Sequence, residues 1–115
     1  MNVIETVVCS AKDDSTAKLR RLVLARQEFK RRQNGCIAAW MGTAIENDSM
    51  ILVQSVYTTA QDWKAISEKV RQELDEVDGG IERFCSALRL SVCSTLAIFL
   101  RNLDKSSKWP NFRAS

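Results

Sequence analysis

The sequence predicts an α+β fold, a ferredoxin-like plait in which a four-stranded antiparallel sheet carries two helices on one face. Residues 36–45 and 50–57 are apolar runs that flank the turn formers Glu46-Asn47-Asp48-Ser49, a pattern typical of a hairpin. Segments with helical periodicity precede and follow this hairpin, and strand-like segments lie outside them, which gives the order β-α-β-β-α-β. A chain of 115 residues is long enough for one such domain.

The first half of the plait begins with a short β-branched run, which predicts a strand over residues 3–9. A helix is predicted over 15–33, with Asp14 or Ser15 as its N-cap and Asn34-Gly35 as its end. Its apolar stripe is formed at helical spacing by Leu19, Leu22, Val23, Arg26 and Phe29.

The second half begins with a helix predicted over 59–78, capped by Thr58 or Thr59 and closed by Gly79-Gly80. One face of this helix is expected to carry Trp63, Ile66, Val70, Leu74 and Val77. Alternation of apolar and polar residues predicts the last strand over 88–97. The domain is expected to span 1–100, and residues 101–115 are expected to form a C-terminal tail.

Both faces of the predicted sheet are apolar. Ala38 and Trp40 lie on one face of the second strand, and Ala39 and Met41 lie on the other. An antiparallel sheet with one solvated face would alternate apolar and polar residues instead. Because two helices cover only one face, we expect a second copy of the chain to cover the other, giving a homodimer.

Composition excludes several classes of site. The chain has no histidine, so a Ser-His or Cys-His relay cannot be built, and its four cysteines lack metal-ligand spacing. We therefore expect no metal and no cofactor, and reduced thiols. The first ten residues lack the basic start of a secretory signal, and no apolar run is long enough to span a membrane. A cytoplasmic protein with no membrane partner is the resulting expectation.

The segment from Asn34-Gly35-Cys36 through the hairpin to residues 56–66 resembles the antibiotic biosynthesis monooxygenase family of dimeric α/β barrels. Members have a Pro-Gly-Cys-like entry to the second strand, then an aromatic residue, two small polar residues, an acidic helix start and another aromatic residue. The matching positions here are Gly35, Cys36, Tyr57, Thr58, Thr59 and Trp63. Ile66 stands where histidine is common, and that histidine is the iron ligand in haem-degrading relatives, so the resemblance does not imply haem chemistry.

The resemblance implies a pocket between the sheet and the helices, lined by Trp40, Tyr57 and Trp63. Cofactor-independent members use aromatic and amide side chains to hold quinol-like or polycyclic substrates, whose carbanion activates oxygen. The alternative is that all three aromatic residues are core or dimer-interface packing. Arg89, on the polar side of the last strand, could hold a substrate anion or could be a surface residue.

The two predicted helices carry opposite charge. Residues 16–33 contain seven basic residues and one acidic residue, whereas residues 60–78 contain six acidic and three basic residues. Because helices lie side by side in this plait, the basic helix is expected to face the acidic one. A footprint for a phosphate backbone is the alternative, but the chain has no nucleic-acid motif and a net charge of only +3, so we expect no nucleic-acid partner.

Two classes of function remain open from the sequence. One is a cofactor-independent monooxygenase acting on a small aromatic or quinol-like substrate. The other is a non-catalytic dimeric module that binds a small ligand or a protein. The polar groups inside the pocket should discriminate them, because acid–base catalysis needs a titratable group within reach of the substrate.

Overall fold

A computed structural model describes residues 1–94 in full and the backbone of residues 112–114. Its strands and helices occur in the order β1 (Val3–Ala11), α1 (Thr16–Arg31), β2 (Cys36–Ala44), β3 (Met50–Tyr57), α2 (Ala60–Val70), α3 (Glu76–Asp78), β4 (Cys85–Ser94) and β5 (Phe112–Ala114). The strands form one antiparallel sheet in the order β4-β1-β3-β2-β5. The predicted β-α-β-β-α-β plait is therefore confirmed for β1 to β4.

The C-terminal end of the chain adds a feature that the sequence did not predict. Strand β4 begins three residues before its predicted start, and the last part of its predicted range, 95–97, lies outside the described residues. Most of the predicted tail, 101–115, also lies outside them. Its residues 112–114 nevertheless form β5, which pairs with the edge of β2 through Gly42, Thr43 and Ala44.

The core lies between α1 and the sheet. Leu19 and Val23 of α1 are at most 1% exposed and form one apolar cluster with Met41, Ile51 and Val53 of β2 and β3. These strand residues alternate with residues on the opposite face, because successive side chains of a strand point to opposite sides. Contact with α1 thus decides which face of the sheet is the inner one.

The entry to β2 is fixed by Gly35. Its φ of +96° lies in the left-handed region, and a Cβ built on it would lie 2.5 Å from Cγ of Asp62. Asp62 is held there by the start of α2, where its backbone N–H donates to the Thr59 side chain, which acts as the N-cap. The position therefore needs glycine both for its backbone conformation and for the close approach of α2.

The second helical segment contains an irregularity that changes its buried face. Residues 71–75 form a turn of π-helix between α2 and α3. Such a turn inserts an extra residue and rotates the residues after it about the helix axis. Ile66 and Val70 are buried as expected, but Val77 is 82% exposed, so its predicted place on the buried face is wrong.

The outer face of the sheet carries apolar side chains from its three central strands. Because cross-strand partners share a face, the pairs Ala38↔Val56 and Gly42↔Leu52 place Val56 and Leu52 there, and the pairing of Val8 with Leu52 places Val8 beside them. These residues are half-buried, except for Gly42, which is buried. In the part of the chain that the structure describes, no helix has the length and apolar character needed to cross a membrane.

Candidate functional site

The candidate site is built around the carboxylate of Glu5, which lies on the inner face of β1 and is 9% exposed. Its Oε1 accepts hydrogen bonds from Lys30 Nζ at 3.0 Å and from the Tyr57 hydroxyl at 3.3 Å. Its Oε2 accepts a hydrogen bond from Trp63 Nε1 at 2.9 Å. Donors from α1, β3 and α2 thus converge on one buried carboxylate.

A second set of hydrogen bonds extends this cluster along α1. Lys30 Nζ also donates to the hydroxyl of Ser55 at 3.2 Å, and Gln27 Nε2 donates to the same hydroxyl at 3.1 Å. Gln27 Nε2 also donates to the backbone carbonyls of Trp40 and Gln54, at 3.1 and 2.9 Å. Because those carbonyls only accept hydrogen bonds, they fix which side of the Gln27 amide carries the nitrogen.

The amide oxygen of Gln27 is left without a partner. Gln27 is fully buried, and its Oε1 has no hydrogen-bond donor among the residues that the structure describes. An acceptor buried without a donor is costly, so such an atom in a folded protein needs an explanation.

A small cavity lies beside these groups, between α1 and the sheet. It has a volume of about 60 Å³, is partly open, and is lined by Val7, Val23, Arg26, Gln27, Lys30, Val53 and Ile81. Sites that enclose a drug-sized ligand are ~300–1,000 Å³. This cavity therefore accepts a small group, or one edge of a larger molecule.

Two candidate proton acceptors of the site, Tyr57 and Cys36, ordinarily have pKa values above neutral pH, and burial raises both further. Burial, followed by the negative charge of Glu5, raises the pKa of the Tyr57 phenol well above its usual range. Burial likewise raises the pKa of the Cys36 thiol, although Lys30 opposes the shift. Tyr57 can therefore donate a hydrogen bond at neutral pH but cannot act there as a base, and Glu5 is the carboxylate among these groups.

The structure brings together two of the four residues that the sequence placed in a pocket. Tyr57 is fully buried, and it meets Trp63 at the Glu5 carboxylate. Trp40 instead pairs with Gln54 on the outer face, so it does not lie between the sheet and the helices as expected. Strand alternation is the reason, because its neighbours Ala39 and Met41 occupy the inner face that α1 covers.

Arg89 also lies on the outer face, because it pairs with Val8 of β1. Two strands separate it from Trp40 in the sheet order β4-β1-β3-β2, which corresponds to ~14 Å at the usual strand spacing. The structure therefore does not bring Arg89 to Trp40, or to Tyr57 and Trp63.

Sequence reasoning missed Glu5, Gln27, Lys30 and Ser55. A signal was present for each: Glu5 and Ser55 alternate in phase with the inner-face residues Val7 and Val53, and Gln27 and Lys30 continue the helical stripe that contains Val23. A polar residue at a core-facing position needs a partner. That rule could have paired these four residues across the α1–sheet interface.

The predicted contact between basic and acidic helical segments is formed by Arg26. Its guanidinium donates to Asp75 Oδ1 from Nη2 at 2.6 Å and from Nε at 3.1 Å, and to both carboxylate oxygens of Asp78 at 2.8 and 3.1 Å. Arg26 is 6% exposed. Asp75 ends the π-helical turn and Asp78 ends α3, so this clamp ties the end of the second helical segment to α1.

No metal site is evident in the described part of the chain, where no three Cys, Asp or Glu side chains form a cluster suited to a metal ion. Ile66, at the position where haem-degrading relatives have a histidine, is buried and 3% exposed.

Comparison with solved structures gives matches over most of the chain. A protein from Nitrosomonas europaea assigned to the antibiotic biosynthesis monooxygenases matches with a TM-score of 0.72 and 14% identity, covering 83% of this chain and 90% of its own. This chain has the antibiotic biosynthesis monooxygenase fold. A protein of the same assignment from Deinococcus radiodurans matches with a TM-score of 0.68 and 17% identity, covering 81% and 91%.

A third structure with this antibiotic biosynthesis monooxygenase fold is SnoaB, a cofactor-independent oxygenase from Streptomyces nogalater. It matches with a TM-score of 0.71 and 10% identity, covering 82% of this chain and 92% of its own. No protein-family model and no curated protein matches the sequence. The structural likeness confirms the fold that the sequence resemblance implied.

Proposed function

We propose that the protein is a cofactor-independent monooxygenase that acts on a small aromatic or quinol-like substrate. The observation that carries the proposal is the buried polar cluster of Glu5, Lys30 and Tyr57 beside a partly open cavity. A purely structural interior would be expected to be apolar, because buried charges are costly. The fold it shares with a cofactor-independent oxygenase supports the same class.

The proposed reaction uses electrons supplied by the substrate. An activated methylene group loses a proton, the resulting carbanion reacts with O2, one oxygen atom becomes a carbonyl and the other leaves as water. No external reductant is needed for this balance. The protein needs to bind the substrate, exclude water and accept the proton.

Glu5 is the proposed proton acceptor, because the phenol of Tyr57 and the thiol of Cys36 have pKa values above neutral pH that burial raises further. General-base catalysis contributes typically ~10²–10⁴-fold to rate. The ammonium group of Lys30, 3.0 Å from Glu5, would stabilise negative charge that develops on a substrate oxygen. Tyr57 and Trp63 would hold the Glu5 carboxylate in place through their hydrogen bonds.

The active form is proposed to be a homodimer that buries the outer face of the sheet. Leu52 and Val56 lie on that face with Trp40, whose proposed role is therefore at the interface rather than in the pocket. A biological interface of this kind should bury more than ~1,000 Å² in total.

A non-catalytic dimeric binding module is the second candidate. The observation that favours it is the cavity volume of about 60 Å³, which is too small to enclose an aromatic ring system. The monooxygenase proposal therefore requires that only the reacting edge of the substrate enters the cavity.

Oxygen uptake discriminates the two candidates. The protein is purified without a metal-affinity tag, its absorbance spectrum and elemental content are recorded, and it is incubated with quinols and anthrones. Uptake above the uncatalysed rate by colourless, metal-free protein would support the monooxygenase. A Soret band, or metal at one equivalent per chain, would contradict cofactor independence, and uptake at only the uncatalysed rate would favour the binding module.

Variants of Glu5 test its role in the reaction. Glu5→Asp keeps the charge but withdraws the carboxylate by about 1 Å, a displacement that can cost ~10²-fold in rate. Glu28→Gln, which removes an exposed carboxylate paired with Arg31, should leave uptake unchanged. If folded Glu5→Asp and Tyr57→Phe variants still take up oxygen, the proposal that the protein is an enzyme would stand, but these residues would have no part in the reaction.

A further inference from the structure

The cavity beside α1 has an almost entirely apolar surface, although three of the residues that line it are polar or charged. Their polar ends are bound elsewhere. The Arg26 guanidinium pairs with two aspartates of the second helical segment, and the Lys30 ammonium pairs with Glu5. The amide nitrogen of Gln27 donates to two backbone carbonyls of the sheet. These three residues therefore present mainly their carbon atoms to the cavity.

Such a surface favours an apolar occupant over water. A buried water molecule normally makes ~3 hydrogen bonds, and this cavity exposes almost no polar atom that could form them. Cavities with apolar linings stay dry, and one of ~150 Å³ binds benzene or xenon. At about 60 Å³ the present cavity is too small for an aromatic ring, but it exceeds the ~10–15 Å³ that one water-sized molecule requires. It therefore fits an apolar molecule of a few atoms.

We propose that this cavity is a binding site for molecular oxygen. O2 is a small, uncharged, apolar molecule, so its transfer from water into apolar surroundings is favourable. The cavity is partly open, so O2 can enter it without a rearrangement of the fold. The choice of O2 among small apolar molecules rests on the proposed function, because a cofactor-independent monooxygenase consumes O2.

The cavity adjoins the proposed proton acceptor. Val7 and Val53 form a cross-strand pair that lines the cavity, and the next pair on the same face is Glu5 with Ser55. Two residues along a strand correspond to ~7 Å, so these two pairs are neighbours on the inner face. Lys30 connects them, because its side chain lines the cavity and its ammonium binds Glu5. A substrate edge deprotonated by Glu5 at the open side of the cavity would therefore form its carbanion next to O2.

Gas binding tests the site without any turnover. Crystals of the protein are pressurised with xenon, and NMR measures the paramagnetic relaxation that dissolved O2 causes at methyl groups in solution. We expect a xenon peak in contact with Val23 and Val53. Because paramagnetic relaxation falls steeply with distance, O2 should relax the methyl groups of these two valines several-fold more than those of Leu19 and Ile51. The latter are also buried but are not among the residues that line the cavity.

Variants that make the cavity smaller provide the next step. Val53→Ile adds one methylene group at the cavity wall and should reduce both xenon occupancy and O2-induced relaxation several-fold. Val7→Ile makes the same change at a half-buried position of the wall and replaces Val53→Ile if that variant does not fold. Val77→Ile is the matched control, because its position is 82% exposed, and it should leave both signals unchanged.

Three results would overturn the proposal. One is a crystal under xenon pressure without a peak in the cavity. Another is equal relaxation by O2 at Val53 and at Ile51, since the cavity would then hold no more O2 than the rest of the core. The third is a folded Val53→Ile variant that retains full xenon occupancy and relaxation, because the gas would then bind elsewhere.

Oxygen uptake tests the same site during turnover. Val53→Ile should raise the KM for O2 several-fold and change the KM for the organic substrate much less, because O2 is the molecule that occupies the cavity. A rise in the KM for the organic substrate alone would overturn the assignment of the cavity to O2. Gas binding without any uptake would contradict the proposed function but not the gas site, whereas uptake without gas binding would contradict the gas site alone.

Discussion

Lys30 Nζ lies 3.0 Å from Glu5 Oε1 between α1 and the sheet, and both side chains are nearly buried, at 10% and 12% exposure. Removing two charges from water is costly, and their attraction offsets that cost only when the geometry and the remaining hydrogen bonds are good. Here Ser55, Tyr57 and Trp63 supply those additional bonds. We therefore expect the stability of the protein to fall when either Glu5 or Lys30 is replaced.

Removal of one charge from this pair should destabilise the protein. Glu5→Gln leaves the Lys30 ammonium buried without its counter-charge, and we expect a loss of about 3–5 kcal/mol in the free energy of unfolding. Urea denaturation followed by tryptophan fluorescence measures it. Glu28→Gln is the matched control, because its exposed pair with Arg31 should contribute no more than ~1 kcal/mol.

A double variant distinguishes the interaction between the two charges from the packing of their side chains. In Glu5→Met/Lys30→Met both charges are replaced by apolar side chains. The loss in the free energy of unfolding should therefore be smaller than the sum of the losses caused by Glu5→Met and Lys30→Met alone. Strict additivity would mean that the two charges do not interact.

The single tyrosine gives a direct test of burial at the site. Tyr57 is the only tyrosine of the chain, and burial and the Glu5 charge raise the pKa of its phenol. In the unfolded state the phenol ionises at pH ~10, so above that pH the folded state binds more protons and stability should fall as pH rises. Phenolate absorbance should therefore appear only at higher pH than in urea-unfolded protein. Coincident titration curves in the folded and unfolded states would contradict this assignment.

The Arg26 clamp predicts a contribution to stability that is lost in acid. Hydrogen bonding to Arg26 holds the pKa of Asp78 below its usual value, against the opposing effect of burial. Since its unfolded-state pKa is higher, ~3.9, the stabilisation is fully present above that value and is lost as pH falls through the folded-state pKa. In the wild-type protein the urea midpoint should fall as pH is lowered from neutral toward that pKa. Asp78→Asn should make this fall smaller.

The same clamp provides the control for that experiment. In an Arg26→Met background the cause of the pKa shift is absent, so adding Asp78→Asn should change the pH dependence much less than it does in the wild-type background. An equal change in both backgrounds would show that another group causes the shift.

The proposed homodimer predicts the mass of the protein in solution. Sedimentation equilibrium at micromolar concentration should give roughly twice the chain mass of 13.0 kDa. Leu52→Arg places a charge on the outer face and should shift the protein toward monomer, because an unpaired charge at an apolar interface is costly. Leu24→Arg, at a 40% exposed position of α1, is the control and should leave the mass unchanged. A wild-type mass of one chain would contradict the dimer.

The sequence by itself determined the order of the elements in the plait. The turn at 46–49, the Thr59 cap and the glycine at 35 act over a few residues, so local chemistry is enough to predict the hairpin and the start of α2. Tyr57 ends the hairpin and Trp63 lies in the first turns of α2, so the sequence also predicted that these two aromatic residues lie near each other, although their role as site residues stays a prediction. Alternation along β2 also predicted that Trp40 and Met41 lie on opposite faces of the sheet. The sequence could not say which of these faces α1 would cover.

The tertiary structure decided the chemistry of the site. Glu5 and Lys30 are 25 residues apart, and Glu5 and Trp63 are 58 residues apart, so their contacts depend on how α1 and α2 pack against the sheet. The π-helical turn, which places Val77 on the exposed side of its helix, could not be predicted either, because the spacing of apolar residues gives no signal for it. Periodicity specifies which side of an element is buried, but a buried hydrogen bond or ion pair forms only when packing brings distant elements together, because its energy depends on atomic separation and on the exclusion of water.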